Sequence, residues 1–461
     1  LWPFLQEENF CRKASSPELH SLLQEDPGYA ALYYAVLALG CQRTGGDTFN
    51  FGQGRAWELF TQVLSRAMDL IALRESFAVL QALTAMSVFA MSVSCAQVDH
   101  TLLAEATRVA LVLRYHKSEI PGTDQAACQR NFWVLYHMEK QYSFQARRSS
   151  TIQDYDIGCP LPATPVSLFG EYDWFLASVR FSRLLSITYE GLFSTTAAVR
   201  PASAQLSLLA NVRALLEKWR TSIPMDFRPL EPLKRSRLTD PRSKSAALAT
   251  HCYYLHLLMI LERLALHLGK DGIESSRCNK KSLLNAARTT IELTRFIDIE
   301  PYTPTFILVI MPLSALFVLF DFVIHNPSHH ETQSNLVLLD VASGYFSSLQ
   351  YASGGSIQGN LLSEFAQIAK QFVQKKTSPP EGSHLPLAAS EATTTATCEA
   401  GADPPSVDHS ASAEDGWNVE PHDSFGDMLS YPASDTEFCL FGFHPLDGFS
   451  FTPSFEEPST S

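Results

Sequence analysis

Residues 129–162 decide the fold, and they read QRNFWVLYHMEKQYSFQARRSSTIQDYDIGCPLP. From Phe132 to Phe144 the side chains are apolar nearly all round, which predicts a helix in the middle of a bundle rather than at its edge. Trp133 is therefore predicted to be buried. Because a residue that precedes proline avoids the helical conformation, Pro160-Leu161-Pro162 predicts an extended segment that lies against the bundle.

Three charged residues stand between that helix and the extended segment. Arg148 is expected to pair with Asp154 or Asp156 across the intervening turn. Two interpretations are open: an exposed ion pair that contributes ~0–1 kcal/mol, or a contact that fixes the turn. The spacing of these residues does not suggest a set of metal or cofactor ligands.

The remainder of the body is predicted to be helix after helix. Apolar residues recur at i, i+4, i+7 and i+11 in residues 102–113, 208–219 and 361–372, so each segment has one apolar stripe. Residues 77–92 are apolar nearly all round and predict a second central helix. Alternating strand patterns are scarce, so residues 1–376 are predicted to be an all-α, multi-helix bundle.

One apolar run, Phe306 to Phe320, has the composition of a membrane span. It is shorter than the ~20 residues that a span requires, and it contains Pro312. A buried core helix is therefore the favoured interpretation, and no membrane partner is expected.

Charge is divided sharply along the 461 residues. The formal net charge is -13, but no Lys or Arg follows Lys376 and fifteen Asp and Glu do, so residues 1–376 carry a net +2. A protein that binds nucleic acid through a broad face normally has a basic excess there. The body lacks that excess, which argues against this mode of binding.

Catalytic patterns are absent from the sequence. Gly52-Gln53-Gly54 lacks the third glycine of a dinucleotide-binding loop, and there is no phosphate-binding loop or esterase serine motif. His251 and His256 are five residues apart and so do not share a helix face. These two, with His329 and His330, are expected to be solvated or hydrogen-bonded. We predict that the chain is not an enzyme and holds no cofactor.

Two breaks interrupt the helical pattern. Residues 221–247 combine four prolines with a basic cluster, which is either a nuclear-import signal or a solvated loop. From residue 377 the chain is rich in Ser, Thr, Ala, Pro, Asp and Glu, so residues 377–461 are predicted to be a disordered tail.

The end of that tail is rich in aromatic residues interleaved with acids. Nine aromatic side chains lie between Trp417 and Phe455. Acidic residues keep such a segment soluble, and the rings can dock into shallow apolar grooves of a partner. The composition favours an activation segment over a plain solubilising tail, with these candidate contact residues: Trp417, Phe425, Phe438, Phe441, Phe443 and Phe449.

The quoted stretch resembles the signature of the fungal-specific transcription factor domain, the middle region of fungal zinc-cluster activators. That signature is a helix R-x-x-W-W-x-x-Y-x-x-D-R, a G-R-P turn, an isoleucine, an acidic pair and a closing L-P. The matching residues are Arg130, Trp133, Tyr136, Arg148, Ile152, Asp154, Asp156, Leu161 and Pro162. Glu139-Lys140 replaces the Asp-Arg pair, Arg147 replaces the glycine and Ser149 replaces the proline.

The resemblance extends along the chain from residue 2 to about residue 350, with residues 2–162 matching best. Ala110 to His116 stands where the family has A-x-x-L-G-L-H. The order and spacing of these blocks are more specific than any one of them.

The resemblance implies a regulator of RNA polymerase II genes that acts in the nucleus. It implies DNA binding by a cluster of six closely spaced cysteines that holds two zinc ions. No two of the nine cysteines here lie within ten residues of each other, so the cluster is expected upstream of Leu1, unless the protein is a regulator that lacks it. Zinc is expected only in that cluster.

The tail is expected to bind a transcriptional coactivator, while homodimer formation is left open. The alternative function is that of a helical scaffold or corepressor without a DNA-binding domain.

Overall fold

The computed structural model describes residues 1–45, 48–72, 75–92, 98–118, 124–161, 168–234, 238, 240–269 and 273–377. It confirms the all-α prediction, because those residues contain sixteen α-helices and a single hairpin of two-residue strands, β1 (Leu168–Phe169) and β2 (Tyr172–Asp173). The helices are α1 Glu7–Ala14, α2 Leu19–Glu25, α3 Pro27–Arg43, α4 Arg55–Leu64, α5 Ala67–Ala72, α6 Phe77–Ala90, α7 Val98–Val112, α8 Gln125–Gln145, α9 Trp174–Thr188, α10 Thr195–Ala198, α11 Ala202–Thr221, α12 Pro241–Leu268, α13 Ile273–Leu293, α14 Met311–His325, α15 Thr332–Ala352 and α16 Asn360–Thr377.

Helix starts follow local sequence signals. The side chains of Ser76, Asp124 and Asp173 each accept a hydrogen bond from a backbone N–H in the first turn of α6, α8 and α9. Such caps satisfy donors that have no partner within the helix. Pro241 begins α12 at the position where the missing N–H costs nothing.

Helices α6 and α8 are central, as their composition predicts. Nearly every residue of α6 from Val79 to Ala90 is buried, and it packs against α3, α7 and α8. Helix α8 packs against α7 and α9 and buries Trp133, which is 3% exposed. The predicted burial of Trp133 is therefore confirmed. One hydrophobic core extends from Phe4 to Val373.

The second apolar helix lies in the C-terminal half of the body. A π-helical turn, Phe306–Ile310, continues directly into α14, and the 20 residues from Phe306 to His325 are long and apolar enough to cross a membrane by length and composition alone. This helical segment is longer than the 15 residues predicted from the sequence. Helices α13, α15 and α16 pack against α14, and Met311, Ala315 and Leu319 are fully buried there. These contacts favour the core-helix interpretation.

The predicted breaks fall at helix ends. Helix α11 ends at Thr221 and α12 begins at Pro241, so the predicted break over residues 221–247 is too long: residues 241–247 are helical, because proline is tolerated in the first turn and Asp240 caps it. Within the basic cluster of that segment, Lys244 pairs with Asp298, whereas Arg235 and Arg237 lie outside the described residues. Apart from Thr377, which ends α16, the predicted tail also lies outside them. The division at residue 376 stays a prediction.

Candidate functional site

The candidate site is the strap, residues 148–161, where it crosses one face of α8. The indole Nε1 of Trp133 donates a hydrogen bond of 2.9 Å to the Pro160 carbonyl. One turn later, the Tyr136 hydroxyl donates to the Asp154 carboxylate at 2.8 Å. Burial, followed by the nearby Asp154, raises the pKa of the Tyr136 phenol well above its usual range. Two signature aromatics thus bind the strap through their polar atoms.

Glu139 fixes the middle of the strap. Glu139 is only 4% exposed. Its carboxylate accepts hydrogen bonds from the Thr151 N–H and from the Ser150 hydroxyl, both at 2.7 Å. The Ser143 hydroxyl donates to it as well, at 3.0 Å. A buried carboxylate is tolerated when hydrogen bonds of this kind replace its hydration.

Lys140 holds the next part of the strap. Its ammonium group donates to the Ile152 carbonyl at 2.6 Å and to the Ser186 hydroxyl of α9 at 3.0 Å, and it lies 3.5 Å from the Asp154 carboxylate. The residue is 3% exposed. Glu139 and Lys140 therefore act as two buried anchors, since each charge finds its partners in the strap or beside it.

The far end of the strap is held by the residues that follow α7. The His116 carbonyl accepts the N–H groups of Gly158 and Cys159, both at 2.9 Å. Asp156 pairs with Lys117, and His116 Nε2 lies 3.3 Å from the same carboxylate. The hydrogen bond from Lys117 is the main reason that the pKa of Asp156 lies below its usual value.

Two arginines stand where the family pattern has glycine, and both end a helix. Arg147, after α8, has φ of 54°, and Arg114, after α7, has φ of 61°. Glycine is favoured at such positions because a side chain makes the left-handed conformation costly. After α8, the N–H of Arg148 donates to the Ser143 carbonyl and that of Arg147 donates to the Phe144 carbonyl. After α7, Tyr115 and Arg114 donate in the same way to Ala110 and Leu111. Each pair of bonds forms a Schellman cap.

The turn after α8 thus has the left-handed conformation at Arg147 although it contains neither glycine nor proline. The Arg147 guanidinium carbon lies 4.2 Å from the ring centroid of Phe193 and 5.7 Å from that of Phe144. These cation–π contacts offset part of the cost of the left-handed backbone.

The predicted ion pair of Arg148 is wrong. Arg148 lies beside His100, with 3.4 Å between their nitrogens, while Asp154 and Asp156 have the partners described above. The strap directs both carboxylates toward α8 and the α7 end, away from Arg148.

The other signature residues differ in their surroundings. Arg130 is half-buried on α8, Leu161 is 38% exposed at the end of the strap, and Pro162 lies outside the described residues. The structure therefore brings Trp133, Tyr136 and Asp154 together and leaves Arg130 and Leu161 outside the contact.

The sequence signal for the anchors was the Glu139-Lys140 pair itself. Two adjacent charges in a helix predicted to be central must find partners when they are buried. Their partners could not be deduced, because a backbone N–H and a carbonyl leave no signature in the sequence.

A small cavity lies between the strap and the end of α7. Its volume is about 100 Å³, and its lining is Leu111, His116, Thr151, Ile152, Gln153, Tyr155, Asp156 and Ile157. Pockets for drug-sized ligands are roughly 300–1,000 Å³. The cavity is therefore too small for such a ligand.

Three histidines are buried in the core rather than solvated. His137 Nδ1 lies 2.7 Å from Ser182 Oγ, whereas neither ring nitrogen of His251 has a hydrogen-bond partner in the described part of the chain. Burial lowers the pKa of His137 and His256 to about 3 and that of His251 to about 4. The expectation that His251 is solvated or hydrogen-bonded is wrong.

Comparison with known proteins agrees with the family resemblance of residues 129–162. Residues 1–221 match the model of the fungal specific transcription factor domain. These residues are a fungal specific transcription factor domain. No solved structure matches the chain significantly.

Several curated relatives are fungal transcription factors. The chain is 26% identical over 353 residues to the ABC-transporter-regulating transcription factor of Aspergillus fumigatus, covering 69% of this chain and 38% of that protein. It matches the Aspergillus oryzae protein of the same name with the same identity and coverage. It is 21% identical over 298 residues to the fumonisin cluster-specific transcription factor FUM21 of Gibberella moniliformis, covering 60% of this chain and 44% of that protein. The chain thus spans less than half the length of these relatives.

The zinc cluster that the family implies does not fit the residues present. Such a cluster needs cysteines a few residues apart, and the nine cysteines here are far more widely spaced. The nine cysteines of this chain therefore do not form the six-cysteine zinc cluster.

Proposed function

We propose that this chain is the regulatory and activating portion of a fungal transcription factor that acts on RNA polymerase II genes in the nucleus. The observation that carries the proposal is the family match over residues 1–221. The names of the relatives refer to different sets of target genes. We therefore propose the class of protein and no particular target genes.

In this proposal the helical body regulates and does not catalyse. The charged side chains of α8 bind the strap: Glu139 accepts from Thr151 and Ser150, and Lys140 donates to Ile152. A catalytic acid or base needs access to a substrate, and these groups are 3–4% exposed. Their role is to hold residues 148–161 in one conformation as part of a fixed surface.

The tail supplies activation by binding a coactivator. Its fifteen acids and absence of Lys and Arg keep the segment soluble, and its aromatic side chains are available to enter an apolar groove. In this proposal DNA is bound through the six-cysteine zinc cluster that the family resemblance implies. The widely spaced cysteines of residues 1–461 do not form that cluster.

A second candidate is a helical scaffold or corepressor. The observation that favours it is the lack of a zinc-cluster spacing among the nine cysteines. An activator raises transcription from a promoter, a corepressor lowers it and a scaffold leaves it unchanged, so one assay separates them.

The test is to fuse residues 1–461 to an unrelated DNA-binding domain and measure a reporter that carries its site. Transcription above that of the DNA-binding domain alone is expected, and a matched fusion ending at Thr377 should lose the increase. Transcription below the DNA-binding domain alone would favour the corepressor. No change with either fusion, with both proteins present at equal levels, would reject the activating role.

A further inference from the structure

Three consecutive metal-binding side chains lie in the turn between α14 and α15. One ring nitrogen of His329, one of His330 and one carboxylate oxygen of Glu331 all lie within 4.8 Å of one another. Among the described residues this is the one such group of His, Cys, Asp or Glu. We propose that this turn binds a divalent transition metal, zinc, through these three side chains.

The backbone of the turn is held in place before any ion binds. The His329 N–H donates to the Asn326 carbonyl at 3.1 Å, and the Thr332 N–H donates to the His329 carbonyl at 3.0 Å. The Thr332 hydroxyl also donates to the Asn326 carbonyl, at 2.6 Å. The backbone of the turn is therefore ordered before an ion binds, which lowers the entropic cost of binding.

Packing positions the two imidazoles differently. His329 is half-buried, with its ring edge-on to Phe322 at 5.3 Å between centroids. His330 is exposed, and its ring centroid lies 4.3 Å from that of His329. An ion at this point would have one side toward the protein and one side toward water.

Glu331 is held in position by a residue of another helix. Arg288 of α13 lies 3.0 Å from one carboxylate oxygen of Glu331 and 3.4 Å from the other, and its Nε donates to Asn335 at 2.8 Å. The hydrogen bond from Arg288 is the main cause of the lowered pKa of Glu331. Each carboxylate oxygen has more than one lone pair, so the same group can accept from Arg288 and bind a cation.

The donor set selects the class of ion. Two imidazoles and one carboxylate are typical zinc ligands, and three protein ligands leave a fourth tetrahedral position for water. Calcium and magnesium prefer oxygen ligands, whereas two of the three donors here are imidazole nitrogens. The Glu331 N–H donates to His329 Nδ1 at 3.2 Å. Zinc binding at Nδ1 uses the lone pair that accepts this hydrogen bond. Zinc binding at Nε2 places the ring proton on Nδ1, so the hydrogen bond is lost in either case.

The consequence is a metal-dependent link between α14 and α15. Zinc that binds the folded turn and not the unfolded chain stabilises the folded state in proportion to its concentration. The site is independent of the proposed function, since it lies outside residues 1–221.

The experiment uses the complete chain and zinc alone. Equilibrium dialysis should give one more bound zinc ion for the parent than for the double variant His329→Gln, His330→Gln, and zinc should raise the Tm of the parent only. Magnesium should raise neither. The matched control is His20→Gln, an exposed histidine elsewhere, which should keep the parental zinc uptake.

A second variant guards against a folding defect in the first. His330→Gln alone changes an exposed side chain and should weaken zinc binding about tenfold or more, with an unchanged circular dichroism spectrum. Replacing zinc by cobalt should give the parent the visible absorption of a four-coordinate ion. Equal zinc uptake by parent and both variants, or an equal response to magnesium, would overturn the proposal.

Discussion

At the residue scale, Arg147 shows how a non-glycine residue can occupy a left-handed helix end. Its backbone has φ of 54°, and its guanidinium lies over Phe193. The side chain therefore contributes a favourable ring contact at a position where any Cβ is costly. The family pattern uses glycine here, which avoids the cost and gives up the contact.

A pair of substitutions separates these two effects. Arg147→Ala and Arg147→Gly both remove the ring contact, but only alanine retains a Cβ in the left-handed conformation. The glycine variant should be more stable than the alanine variant by about 1 kcal/mol. Urea denaturation of both proteins measures the difference, and an alanine variant at least as stable as the glycine variant would contradict this account of the turn.

His251 gives a second prediction, concerning pH. Its pKa is about 4 in the folded protein, lower than the usual 6.5, because burial disfavours the charged ring. The unfolded chain therefore binds the proton more readily, and stability is lost as the pH falls from about 6.5 toward 4.

Replacing His251 by Leu should raise the free energy of unfolding at pH 7 by about 1–3 kcal/mol, since the buried ring nitrogens have no partner among the described residues. It should also make the loss of stability between pH 6.5 and 5 shallower. His267→Leu, at an exposed position, is the matched control for the change of histidine to leucine. An unchanged pH dependence in the His251 variant would show that this ring does not titrate on unfolding.

At the element scale, the strap depends on the buried anchors of α8. Glu139→Ala leaves the Thr151 N–H and the Ser150 hydroxyl without their acceptor. Because it removes one member of a buried charged network, it should cost about 3 kcal/mol. Glu139→Gln keeps one carbonyl acceptor and should cost less.

Hydrogen exchange measures this effect where it occurs. The Thr151 amide should exchange much faster in Glu139→Ala than in the parent, while amides in the middle of α6 should change only as far as global stability does. Equal exchange of Thr151 in both proteins would show that Glu139 does not hold the strap.

Elements were more predictable from the sequence than contacts between them. The apolar stripes in residues 208–219 and 361–372 lie within α11 and α16, because helical periodicity is a local property. The burial of Trp133 followed from a different local pattern, a segment that is apolar nearly all round. The partners of Arg148, Asp154 and Asp156 were predicted wrongly, because they depend on the path of the strap over α8 and past His116.

At the scale of the whole molecule, charge separates the body from the tail. The body has one core from Phe4 to Val373 and a net charge of +2, whereas the residues after Lys376 hold fifteen Asp and Glu and no Lys or Arg. This contrast is visible in the sequence alone. The central claim is that the tail activates transcription through its aromatic side chains.

Residues 411–461 fused to an unrelated DNA-binding domain test that claim most directly. The parental tail should raise reporter transcription, and replacing Phe438, Phe441, Phe443 and Phe449 by Ala should abolish the increase, because the rings enter the partner's groove. The matched control changes Asp423, Asp427, Asp435 and Glu437 to Asn or Gln, and it should weaken activation less sharply, because the acids only keep the rings available. A phenylalanine-free tail as active as the parent would contradict the groove mechanism, and an inert parental tail would contradict the claim itself.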